Sequence, residues 1–161
     1  MTSPLIGDEG RCREDGEARR PWPDGFSVRE LSRMPSNFRF DCSIQEFLQE
    51  HGVPGIAGID TRALTKILRE KGTMNGMITT KEYQDLSEPI ARMKEYRVTG
   101  VVKATTTKET YVLPGEGKKV ALLDLGAKRN IARSLNERGC QVTVYPADQP
   151  AEAMLASNHR C

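Results

Sequence analysis

The sequence predicts an α/β protein in two parts, and three observations carry that prediction. A capped amphipathic helix sits between extended segments over residues 53–79, a β-α-β pattern occupies residues 119–146, and a threonine-, glycine- and proline-rich stretch separates them. The expected divisions are 1–98, a connection over 99–118, and 119–161.

Composition narrows the function classes first. In 161 residues, 37% are hydrophobic and 29% charged, which is ordinary for a globular chain. Lys and Arg number 24 against 22 Asp and Glu, a net charge of +2, too balanced for a nucleic-acid or anionic-membrane binder. No apolar run approaches the roughly 20 residues of a bilayer span, and the start MTSPLIGDEG lacks a secretory pattern. No nucleic acid and no membrane partner are expected, and the cytoplasm is the expected compartment.

Cys12, Cys42, Cys140 and Cys161 are scattered without C-x-x-C pairs, so they read as free thiols and no metal site is expected. His51 closes SIQEFLQEHG, where an imidazole meets the last carbonyls of a helix before Gly52 stops it. His159 lies in the terminal SNHRC and reads as a frayed end. A complete catalytic constellation is not visible.

The elements follow in order. Residues 9–25 mix charges of both signs with glycine and proline and read as a solvated connection. FSVREL, 26–31, alternates as a strand should. Ser43 and Glu46 have the spacing of a capping box, ahead of an apolar stripe of Ile44, Phe47 and Leu48. VPGIAGI, 53–59, is extended; Asp60 then caps a helix with Leu64, Ile67 and Leu68 on one face and Gly72 as its stop. Asn75-Gly76 predicts a positive-φ turn before a strand at MIT, 77–79. A weaker helix is expected over Leu86–Tyr96, capped by Ser87, with Pro89 in its first turn.

Residues 99–118 read as an extended linker. Beyond them, VALL at 120–123 has the continuous apolar character of a parallel strand, Asp124 and Gly126 mark its carboxyl end, and Ala127, Ile131 and Leu135 recur on one helix face. CQVTVY, 140–145, is the second strand, and PAEAML opens another helix. Two parallel strands cannot bury their faces alone, so this half is expected to be incomplete.

The residues also carry a resemblance. PLIGDEG, RRPWPDGFSVREL, PSNFR, FLQEHGVPGIAGIDTRALTKILREKGTMNGMI and VALLDLGAKRNIARSLNERGCQVTVYPAD occur in an order that resembles the small subunit of glutamine-hydrolysing carbamoyl-phosphate synthase. The resemblance implies a partial, mixed β/α small-subunit domain, followed by the start of a class I glutamine amidotransferase domain with a flavodoxin-like parallel sheet. In that family the small subunit hydrolyses glutamine through a Cys-His-Glu triad and passes ammonia to a large subunit. The large subunit uses ATP and magnesium to make carbamoyl phosphate for arginine and pyrimidine synthesis. The implied partners are therefore that large subunit and glutamine, and no cofactor is expected on this chain.

Departures from the family pattern qualify the activity. The chain is expected to begin inside the first domain and to stop before the oxyanion loop, the nucleophile elbow and the triad, so it is expected to be inactive alone. Asp8 stands where the family usually has Asn, Cys140 belongs to a strand, and Cys161 comes too early to be the nucleophile. An interaction module that docks on a large subunit without chemistry is the alternative.

Two candidate binding residues remain. Lys128 follows a strand's carboxyl end, where open α/β sheets gather ligands, in a first helical turn whose dipole disfavours cations. The resemblance places the matching lysine near the glutamine pocket, so it orients substrate or an interdomain contact; otherwise it pairs with Asp124 or is solvated. Asn130 is the second candidate, or else a plain polar helix residue.

Overall fold

The computed structural model describes residues 1–156; His159 and Cys161 lie outside the described residues. The chain divides into two compact units, Met1–Arg97 and Val98–Cys161.

In the first unit, β1 (Thr2–Ile6), β2 (Phe26–Leu31) and β3 (Gly55–Ile56) form a parallel sheet in the order β1-β2-β3. β2 was legible because Phe26 and Val28 alternate into the interior. β1 was not, because Pro4 interrupts its pattern; it lies at the edge of the sheet, where a missing N–H is tolerated. Helix α1 (Ile44–Glu50) starts at the expected capping box, and its Phe47 and Leu48 pack with Phe26 and Cys42, with Ile6, Ile44 and Val53 around them. His51 closes α1, its Nδ1 2.9 Å from the Phe47 carbonyl oxygen, as the sequence predicts.

Residues 9–25 are better anchored than a solvated connection. The Arg11 N–H donates to the Cys42 carbonyl at 3.0 Å, the Arg13 guanidinium meets Glu50 at 2.6 Å, and the Arg11 guanidinium lies 3.6 Å from the centre of the Phe47 ring. Charge pairing and a cation–π contact replace the apolar periodicity that sequence reading relies on.

Helix α2 (Thr61–Lys71) begins at Asp60, whose Oδ1 accepts the Ala63 N–H at 3.0 Å, and ends at Gly72 with φ 83°. Its apolar face is only partly covered, since Leu64 and Leu68 are half-buried and Ile67 is exposed. The expected strand at 77–79 does not form, and Gly76 is not among the positive-φ glycines. Asn75 instead donates through Nδ2 to the carbonyls of Met93 and Tyr96 at 2.6 and 2.9 Å, so a side chain ties this segment down without a strand partner. The N-cap residue of helix α3 (Ser87–Glu95) is Leu86 rather than Ser87, and the Asp85 carboxylate before it accepts the Ser87 N–H at 3.0 Å and its hydroxyl at 2.8 Å.

The second unit corrects the reading of 99–118 as an extended linker. That segment holds α4 (Val101–Thr105) and β4 (Tyr111–Leu113). β4 pairs antiparallel with β6 (Gln141–Pro146), which pairs in parallel with β5 (Lys119–Asp124), giving the order β4-β6-β5. The sheet therefore has three strands and mixed direction where two parallel strands were expected. β6 is central and carries Val142 and Val144, with 0% and 2% exposure.

Helix α5 (Arg129–Glu137) starts two residues later than the Ala127 periodicity implies. Ala132 and Leu135 consequently pack on the sheet, while Ile131 is exposed. Helix α6 (Ala151–Ala156) follows β6. Among the described residues no helix is long and apolar enough to cross a membrane.

Candidate functional site at the carboxyl end of the β5 strand

The turn between β5 and α5 is built on Asp124. Its Oδ1 accepts the N–H groups of Gly126 and Ala127 at 2.9 and 2.8 Å, and its Oδ2 accepts the Thr107 N–H at 2.7 Å. The buried Thr106 hydroxyl donates to the Asp124 main-chain carbonyl at 2.5 Å and accepts the Ala147 N–H at 2.9 Å. Gly126 has φ 105°, a conformation that a side chain would strain. Sequence reading took Asp124 and Gly126 as strand-end markers and missed this bonding role. The Thr106-Thr107 side of it was hidden because those residues lie 18 and 17 positions away.

Lys128 follows directly. It is the N-cap residue of α5, with φ −66° and ψ 135°, rather than part of the first turn, and its side chain is exposed. As an N-cap residue it offers no side-chain acceptor to the helix amides. The pairing with Asp124 that the sequence left open is not made, since Asp124 directs both carboxylate oxygens to backbone amides. Asn130 is exposed within the first turn of α5. The two candidates thus lie on the same short segment, at the end of a parallel strand where open α/β sheets present ligand-binding loops.

None of the described thiols, nor the His51 imidazole, is part of this turn. Cys42 is buried in the core of the first unit, Cys12 lies 3.9 Å from the Arg39 guanidinium, and Cys140 packs beneath α5. Among the described residues no group of three or more His, Cys, Asp or Glu could hold a metal ion.

By architecture this is an α/β chain whose second unit carries an exposed cation at a strand's carboxyl end. Residues 1–78 match the family described as carbamoyl-phosphate synthase small chain, CPSase domain. The carbamoyl phosphate synthase small chain of Clostridium perfringens is 44% identical over 158 residues, covering 98% of this chain and 45% of the relative. That of Symbiobacterium thermophilum is 43% identical over 164 residues, covering 97% and 45%. That of Oceanobacillus iheyensis is 44% identical over 157 residues, covering 96% and 42%. The chain is similar to carbamoyl-phosphate synthase small chains over almost its whole length, and residues 1–78 match their CPSase domain. It spans less than half the length of these relatives.

Proposed function

We propose that this chain forms part of a glutamine-hydrolysing small subunit that supplies ammonia to a carbamoyl-phosphate synthase large subunit. Residues 1–97 support docking on that subunit, and 98–161, with α4 and β4 folded into the second unit, open a class I glutamine amidotransferase domain. The large subunit supplies the ATP and magnesium chemistry, in the cytoplasm, for arginine and pyrimidine synthesis. The observation that carries this reading is the 44% identity over 158 residues, which runs through both units.

Within that reading, Lys128 holds the glutamine carboxylate or a facing segment, with Asn130 beside it. An ammonium with no carboxylate partner among the described residues suits that task, because a charge-assisted hydrogen bond contributes about 1.5–3 kcal/mol. The stretch alone is proposed to be inactive. Thioester chemistry needs a cysteine activated by a base, and among the described residues no cysteine is hydrogen-bonded to a histidine.

Two measurements test this. The chain incubated with glutamine should release no ammonia above background; turnover that survives replacement of its cysteines would overturn the proposed inactivity. In the complete subunit with its large subunit, Lys128→Met should lower glutamine-dependent synthesis about 10- to 150-fold and spare the ammonia-dependent reaction. An equal fall in both would indicate a folding or docking role instead.

A second reading, a docking module without chemistry, draws on the exposed apolar side chains Leu5, Ile56 and Ile67 of the first unit. It predicts large-subunit binding by this chain, with no glutaminase activity in the complete protein.

A further inference from the structure

Asp124 does more than end a strand. Its carboxylate joins residues 126–127 to residue 107, and its carbonyl is joined through the Thr106 hydroxyl to Ala147 just after β6. Both carboxylate oxygens must accept. An asparagine has one acceptor oxygen and one NH2 donor, so either orientation sets a donor against a backbone N–H. Glutamate would have to place the same two oxygens from a side chain one methylene longer.

The turn that Asp124 holds is one that the chain does not favour by itself. Gly126 is at positive φ, and the amide of Ala127, the residue before Lys128, is one of the three that Asp124 accepts. Whatever fixes Ala127 fixes where the Lys128 backbone leaves the turn. We propose that Asp124 is a positioning residue, which sets the β5–α5 turn so that the Lys128 ammonium meets the carboxylate of the amide substrate. This rests on the reading of Lys128 given above.

The test is a double-mutant cycle in the complete subunit paired with its large subunit. Asp124→Asn should raise the KM for glutamine about tenfold, as expected when a part-buried amide loses its acceptor, and leave ammonia-dependent synthesis unchanged. In a Lys128→Met background the same change should shift the KM less than about twofold, because the group that it positions is gone. In the present chain, Asp124→Asn should speed hydrogen exchange at the amides of Thr107, Gly126 and Ala127 and leave Val142 and Val144 protected. If Asp124→Asn unfolds the unit, Asp124→Ser must give the same pattern.

Additive effects, equal losses with glutamine and ammonia, or unchanged exchange at the three amides would each overturn the proposal. The two readings fail differently. Lys128→Met without effect removes the Lys128 reading and this one with it, whereas Lys128→Met that impairs glutamine use beside a silent Asp124→Asn overturns only this one.

Discussion

The Ser43 hydroxyl accepts the Glu46 N–H at 3.2 Å, while the Glu46 carboxylate accepts the Ser43 N–H at 2.8 Å and the Ser43 hydroxyl at 2.9 Å. This exchange fixes the start of α1, so that Phe47 and Leu48 reach the core of the first unit.

The capping box makes α1 sensitive to acid. Bonds from the Ser43 backbone and then its side chain hold the Glu46 carboxyl below its ordinary value of 4.5. A depressed folded value means that the unfolded state takes up the proton first, so the stabilisation is present above the ordinary value and lost as pH falls through the folded one. Amide protection in α1 should therefore decline in the wild type only as pH falls below the ordinary carboxyl value of 4.5. Glu46→Gln, which keeps only a neutral acceptor, should flatten that decline. An identical acid profile in the variant would contradict the assignment.

Asn75→Ala should loosen the segment after α2. It removes two hydrogen bonds to the carbonyls of Met93 and Tyr96 at the end of α3. A cost of about 1–2 kcal/mol is expected, read as a lower urea midpoint with faster exchange over residues 72–78.

Gly115→Ala should destabilise the second unit for want of space. A Cβ there would collide with the backbone carbonyl of Cys140, which cannot swing aside as a side-chain tip can. The expected loss is on the order of 1–3 kcal/mol. Gly52→Ala is a control from open space, where only the positive φ of 64° opposes the change.

Val142→Ala tests the centre of the second core. Val142 is fully buried on β6 and clusters with Ala132 and Val144, so removing two methyl groups should cost about 2 kcal/mol. Thermal unfolding followed by hydrogen exchange over 141–146 would measure it.

The parts of the fold that were legible have short-range causes. The Ser43–Glu46 box, the Asp60 cap, the Gly72 stop and the alternation of Phe26 and Val28 are each set by residues within a few positions of one another. The parallel β5–β6 pair was also legible, because the apolar run at 120–123 and the following helix imply a crossover. The site was half-visible. Lys128 could be picked out from its place after a strand, but its N-cap position and the use of Asp124 by backbone amides could not.

The sequence by itself therefore determined the α/β class, the main helices and the family resemblance, because these rest on periodicity, capping chemistry and residue order. The tertiary structure alone decided four things: β1 as an edge strand, β4 as the third strand of the second sheet, the missing strand at 77–79, and the Thr106–Asp124–Ala147 linkage. Each depends on whether a backbone donor or acceptor finds a partner distant in the chain. Local pattern does not encode that pairing; it is settled only when the strands come together.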